Sequence, residues 1–289
     1  MQSHFKNSFH KVSETPEPVR LQDYSMEAFL DDWTKSSWKK AIKQGLILVN
    51  GLAGTTATWI KDGDHLELIS NAKPQIAPYQ LKIPVLYEDE YLAIVQKPFG
   101  LLTSGYGVRT LNHCLPFNLQ MDHTTGYLPR AVHRLDQPTG GLVIVAKTAA
   151  MTQNLTHLFQ DRKISKRYSA LVHGASTNEA IIEEAIHGQD AKTTLKKIES
   201  FTKNGEIYTL LALYPETGRR HQLRIHLRGM GTPIVGDKAY GYAGNAFKGK
   251  GLFLWADALK FLHPISGVEI NIELPLAPKF ERALKYLRL

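Results

Sequence analysis

The segment "HRLDQPTGGLVIVAK", His133 to Lys147, sets a histidine, an arginine and a carboxylate just ahead of an apolar run. A loop carried by a rigid strand is a common seat of chemistry. Asp136 there either caps a turn or pairs with Arg134, or it is a nucleophile or base held ionised by a cation. In "GRRHQLRIHLRG", Arg220, Arg224 and Arg228 recur at i, i+4 with no acid among them. Like charges at that spacing repel. An anionic partner is therefore expected, either a protein carboxylate or nucleic-acid phosphates, since the planar arginine fork binds both bidentately. Tyr168 in "SKRYSALVHG" alternates with apolar residues as a core aromatic would, yet Lys166 and Arg167 beside it suit an aromatic that stacks on a base.

Other chemistries find less support. His221 and His226 stand at i, i+5, which splays their rings around a helix, and neither HExxH nor a cysteine pair accompanies them, so no metal site is expected from them or from His133. The glycines of "TGGL" and "GYG" lack the spacing of a P-loop or a dinucleotide fingerprint. No cofactor is expected. The single cysteine, Cys114, cannot form an internal disulfide, the longest apolar runs are too short to span a bilayer, and the N-terminal stretch has no apolar core of a secretory signal. A cytoplasmic protein with no membrane partner is the expectation.

Elements must position these residues. The 289 residues, 43% of them hydrophobic, suffice for one large core and a smaller unit. The chain reads as a flexible leader over 1–20, a small unit over 21–70, a linker over 71–83 containing Pro74 and Pro78, and a main domain over 84–289. Within the small unit two short helices are expected, with Ser25 and Ser36 or Ser37 as N-caps and Gly45 as a stop, followed by strands around an Asn50-Gly51 turn. In the main domain, "VLYEDEYLAIVQKP" reads as a strand pair and "GLVIVAK" as a buried strand. A helix is expected over "AAMTQNLTHLFQDRK", then strands over "KRYSALVHG" and "EIYTLLALYPE". A last helix over "TGRRHQLRIHLRGMG" places Leu223, Leu227 and Met230 on one stripe and the arginines on another. The net charge is +8, and it is uneven: residues 1–70 hold 8 Lys and Arg against 9 Asp and Glu, while residues 71–289 hold 27 against 18. The larger part thus has the balance of a protein that grips a phosphate backbone.

From about Val85 onward the chain resembles the RluA family of pseudouridine synthases. The resemblance rests on "HRLDQPTGGLVIVAK", "KRYSALVHG", "TGRRHQLRIHL" and "GTPIVGDKAYG", in the family's order, with "KPFGLLTS" similar to its leading motif. The N-terminal unit resembles the small αL-type RNA-binding domain that often precedes this catalytic domain. The resemblance implies an α+β body with a large mixed, mostly antiparallel sheet. It implies isomerisation of uridine in structured RNA, ribosomal or transfer RNA, by a monomer needing neither metal nor cofactor. Asp136 becomes the catalytic carboxylate, Tyr168 the active-site tyrosine on the base, and Arg224 the cation paired with Asp136. Arg134 matches an arginine inserted where the flipped uridine was, and His133, Arg220 and Arg228 join the substrate-binding set. The family commonly has Ser where Gly140 stands, so a looser loop after Asp136 is expected. The small unit's balanced charge departs from that of a cationic RNA clamp. The rival reading is a catalytically silent RNA-binding protein retaining the fold; a metal hydrolase using the histidines is the weakest.

Overall fold

Strand Gly140–Ala146 of "GLVIVAK" is buried along its whole length, which is what an apolar run without alternation requires. In a computed structural model of the chain, which describes residues 8–13, 15, 17–24, 35–68, 79–105, 108–121, 127–242, 247 and 249–289, two units separate, Met1–Ala77 and Pro78–Leu289.

In the first unit the strands are β1 (Ser8–Lys11), β2 (Val19–Arg20), β3 (Ile47–Val49), β4 (Leu52–Ala53), β5 (Trp59–Ile60) and β6 (His65–Leu68), with helix α1 (Lys35–Lys43). They form a β1-β6-β3-β4 sheet and a β2-β5 pair. Asn50 and Gly51 both have positive φ, 49° and 82°, as a tight hairpin turn between β3 and β4 requires. Trp38, Ile42, Ile47 and Leu66 are buried together, and the Trp38 indole donates to the Leu21 carbonyl at 2.7 Å. Three expectations need correction. The stretch 1–20 is not wholly a leader, because β1 pairs with β6 and β2 with β5. Ser36 and Ser37 lie inside α1 rather than before it. The linker ends sooner than residue 83, since Ile83 is buried in the main core and the Tyr79 amide donates to the His113 carbonyl. The first expected helix and Ser25 lie outside the described residues, as do Pro74 and Pro78.

The second unit runs β7 (Val85–Glu88), β8 (Leu92–Lys97), α2 (Leu111–Asn118), β9 (Arg130–Ala131), β10 (Gly140–Ala146), α3 (Ala149–Gln160), β11 (Ser165–His173), β12 (Glu179–Ile182), β13 (Thr193–Lys203), β14 (Glu206–Pro215), α4 (Gln222–Gly229), β15 (Leu254–Leu262), β16 (Glu269–Glu273) and α5 (Pro278–Arg288). One sheet is ordered β12-β13-β14-β11-β15-β10-β8-β7, with β16 on β15 and β9 on β10. It is mixed and mostly antiparallel, β10 with β15 being a parallel pair.

β10 is the anchor of the site. Leu142 and Ile144 face Met151 and Leu155 of α3, while Val143 and Val145 face Leu111 and Leu115 of α2 on the other side. Each such buried side chain contributes roughly 1.5–3 kcal/mol, so the loop that enters β10 is tied to the least yielding part of the sheet. Lys97 closes β8 with its side chain buried. Its ammonium donates to the carbonyls of Leu101 at 2.6 Å, Pro98 at 3.1 Å and Gln137 at 3.3 Å, joining the "KPFGLLTS" segment to the loop of Asp136.

Candidate active site

The Asp136 loop is held by its backbone. The Thr103 hydroxyl donates to the Leu135 carbonyl at 3.0 Å, the Gly100 amide donates to Gln137 O at 2.8 Å, and the Thr139 amide donates to Asp136 O at 3.0 Å. These bonds leave the carboxylate itself turned outward, into a cavity of about 520 Å³ lined by Asp136, Tyr168, His221 and Arg224 among others. The side chain of Asp136 neither caps the turn nor meets Arg134, which is exposed and pairs with no acid among the described residues. Instead Arg224 Nη1 stands 3.3 Å from Asp136 Oδ2, and His221 Nε2 stands 3.8 Å from Oδ1.

Arg224 has a closer partner than expected. Its Nε and Nη2 form a bidentate pair with Asp237, both at 2.7 Å, in a wall where Arg224 is 6% exposed. Burial pushes the Asp237 carboxyl up, but the Arg224 hydrogen bonds and the amides of Tyr240 and Ala239 more than offset it and hold it below the usual carboxylate range. The same balance favours the guanidinium: burial disfavours its charge, and Asp237 and Asp136 together restore it. Arg224 therefore reaches Asp136 as a cation already fixed in place. The carboxylate that the arginine stripe called for is Asp237, carried by the "GTPIVGDKAYG" motif, which the spacing of the arginines does not mark. Its signal was the lone acid in a segment that already carried the resemblance.

The stripe itself does not form. α4 starts at Gln222, so Arg220 precedes the helix, exposed at the cavity, while Arg224 is buried with Leu223 and Leu227. Gln222 sets this start by accepting from the Arg219 amide at 2.9 Å and the Thr217 hydroxyl at 2.7 Å while donating to Lys192 O and Thr193 Oγ1. Arg228 does not line the cavity; its guanidinium carbon lies 4.9 Å from the Tyr242 ring centre.

Tyr168 lies on β11 just after an irregularity between Arg167 and Tyr168, packed against the hydrophobic clusters on both sides of the sheet. Burial, then the charges of Asp136 and Asp257, raise its pKa, so it is a neutral phenol at physiological pH. Arg167 turns away to Asp257 at 3.0 Å and Glu273 at 3.2 Å. His133 is likewise a structural group: the Ile144 amide donates to its Nε2 at 2.9 Å, and its ring centre is 5.0 Å from that of Phe159. Burial, then Lys166, pulls its pKa down to about 3, so it fastens the loop as a neutral ring at the cavity wall, its one acceptor nitrogen taken by the Ile144 amide. His226 is buried, bonded to Thr193 Oγ1 and Glu184 O at 3.0 Å each. Gly140 does not loosen the loop. A Cβ there would stand 2.8 Å from Trp255 Cζ3, so the glycine is what lets β10 approach β15, and at Gly141, φ 120°, a Cβ would overlap Ala256 O.

The cavity is strongly cationic. Arg134, Arg162, Lys166, Arg219, Arg220 and Arg224 line it against the acids Asp136 and Glu216. A carboxylate fixed in a cationic cleft beside a neutral phenol can take a proton or attack an electrophilic carbon while the rim holds a polyanion. Among the described residues no group of three His, Cys, Asp or Glu is placed to hold a metal ion.

Residues 91–228, from β8 through most of α4, match the family model described as RNA pseudouridylate synthase. A protein of Aquifex aeolicus described as an uncharacterized RNA pseudouridine synthase is 30% identical, the alignment covering 94% of each chain. The ribosomal large subunit pseudouridine synthase D of Xanthomonas campestris is 29% identical over 93% of this chain and 89% of its own. Among solved structures, human RNA pseudouridylate synthase domain containing 4 superposes with a TM-score of 0.58 at 26% identity, covering 71% of this chain and 92% of that one. With a relative this similar over nearly its entire length, and with Asp136, Tyr168 and Arg224 converging on one cavity, the chain belongs to the RNA pseudouridine synthase family.

Proposed function

We propose that this protein converts uridine in structured RNA to pseudouridine as an RluA-type enzyme, with Asp136 as the catalytic carboxylate. The observation that carries the reading is the setting of Asp136: a carboxylate on the loop that enters the buried strand β10, facing a buried, braced arginine on one oxygen and a histidine on the other, in a cavity walled by Tyr168.

The isomerisation breaks the bond from N1 of uracil to ribose C1′, turns the base and rejoins it through C5. No electrons are exchanged and no water is consumed. Asp136 acts as nucleophile or base only when ionised, and the Arg224 cation stands 3.3 Å from its Oδ2. Tyr168, kept as a phenol, offers its ring to the uracil face without adding a second negative charge. A base in a helical stack is out of reach, so the uridine is flipped at a cost of a few kcal/mol, which stacking on the tyrosine and Arg134 filling the vacated space lower. Arg220 and the other rim cations suit the flanking phosphates. The relatives named for the large ribosomal subunit favour ribosomal RNA as the substrate class.

The test is pseudouridine mapping on ribosomal and transfer RNA from cells lacking the gene, before and after incubation with the protein. New pseudouridine at a small set of uridines is expected. Tight RNA binding with no conversion would favour the catalytically silent alternative.

A further inference from the structure

His221 has a backbone that costs energy to hold. Its φ of 59° and ψ of 19° lie in the left-handed region, where non-glycine residues are uncommon and which is often found at sites of function. Its carbonyl accepts from the Ile225 amide at 3.0 Å, as any residue ahead of a helix would, and its side chain makes no capping bond to α4 that would explain the conformation. What the conformation achieves is orientation: Nδ1 lies 3.0 Å from the Tyr240 hydroxyl, and Nε2 points into the cavity, 3.8 Å from Asp136 Oδ1. Tyr240 is fixed in turn. Asp237 Oδ1 accepts from its amide at 3.0 Å, and the Arg224 guanidinium carbon sits 4.9 Å from its ring centre. One acid, Asp237, thus supports both groups that face Asp136: Arg224 directly and His221 through Tyr240.

We infer that His221 is a further catalytic residue of this site, the base that removes the hydrogen from C5 of the reattached uracil. This rests on the proposed isomerase activity. Once C5 has bonded to C1′ it still carries its hydrogen, and N1 lacks one. The C5–H bond breaks with its electron pair closing the C5–C6 double bond, N1–C6 becomes a single bond, the proton goes to Nε2, and N1 takes a proton from the imidazolium or from water. Because C5 is then joined to the ribose carbon that Asp136 addresses, a base beside Asp136 is within reach of that hydrogen. In the acting tautomer Nδ1–H donates to Tyr240 Oη and Nε2 holds the lone pair.

The other groups are less suited. Tyr168 is a neutral phenol, and Lys97, although burial pulls its pKa down to about 7, has its nitrogen engaged with three carbonyls. Lys166 lines the same cavity, its ammonium 5.8 Å from the Phe159 ring centre, and is the competitor to be tested. The charged and titratable groups around His221 are Asp136, Arg224, Arg220, Asp237 and Tyr240; burial chiefly, then the two arginines, outweigh the two carboxylates and keep the ring neutral below the ordinary histidine pKa.

The experiment is single-turnover conversion of RNA carrying uridine or 5-deuterouridine by the wild type, His221→Asn, Tyr240→Phe and Lys166→Met, with RNA binding and melting temperature measured in parallel. Asn tolerates the left-handed backbone, and Phe keeps the ring under Arg224 while removing only the hydroxyl. His221→Asn is expected to bind RNA normally, to form pseudouridine about 100-fold or more slowly, as loss of a general base does, to show a C5 isotope effect absent from the wild type, and to recover with added imidazole. Tyr240→Phe should shift the same way by less. Normal conversion by His221→Asn, a slow variant with neither isotope effect nor rescue, or an isotope effect appearing in Lys166→Met instead would overturn the assignment. Absence of pseudouridine with the wild type would overturn the isomerase reading itself, and is a separate result.

Discussion

At the residue scale the site turns on how charge is shared. Arg224 holds Asp237 twice at 2.7 Å and Asp136 once at 3.3 Å, so the bidentate pair fixes the cation and the single contact leaves Asp136 its reactivity. Breaking a buried pair by neutralising one partner costs about 3–5 kcal/mol, and Asp237→Asn is expected to lose that much stability in denaturant titrations together with most activity. Its pH signature has a definite sign. The folded-state pKa of Asp237 is depressed, so its contribution is present above the unfolded carboxylate value and disappears as pH falls through the lower folded value; the Asn variant should lack that acid-sensitive component. That Asp136, Tyr168 and Arg224 share one cavity was legible through the motifs that carry the resemblance, while residue type alone left each open to a structural reading. Asp237 and His221 were not: an arginine's strongest partner is set by three-dimensional approach, and a histidine's left-handed backbone leaves no mark in spacing.

The element scale explains why some local readings failed. "GLVIVAK" gave its strand away by composition, but the effect of Gly140 depends on Trp255, which arrives from β15, far along the chain. Gly140→Ser is expected to force the two strands apart or displace the indole, lowering stability by about 1–3 kcal/mol without gaining loop rigidity, as thermal melts would show. The period of Leu223 and Leu227 identified α4, whereas its start was hidden in the side-chain bonds of Gln222. His133 supplies a second test. Its folded pKa of about 3 lies below the ordinary histidine value of 6.5, so the native state resists protonation and stability falls as pH drops from 6.5 toward 3. The slope contributed by one such group approaches about 1.4 kcal/mol per pH unit, and His133→Gln should flatten the stability profile across that window even where it lowers stability at neutral pH.

At the scale of the whole molecule, the two units differ in charge as well as in fold. The larger unit sets six of its cations around one cavity, while the smaller unit exposes Lys39, Lys40 and Lys43 on α1 within a balanced total. Removing residues 1–77 is expected to leave the larger unit folded on its own cores and to weaken RNA binding modestly, with the slope of log K against log salt changing by only a few phosphate contacts. Equal binding by the shortened protein would assign the small unit another role. Hydrophobic patterning makes both units visible in the sequence, but β1 and β2 read as a leader because each is short and flanked by proline, lysine or glutamate, and only pairing with β6 and β5 gives them structure. The central claim concerns Asp136, and single-turnover pseudouridine formation by the full chain and by Asp136→Asn tests it most directly. Asn matches Asp in shape but has no charge and is a far poorer nucleophile or base. The account predicts no detectable conversion by a variant that melts like the wild type and binds RNA within about tenfold, or 1.4 kcal/mol, of it. Near-normal conversion by a folded Asp136→Asn protein would contradict it.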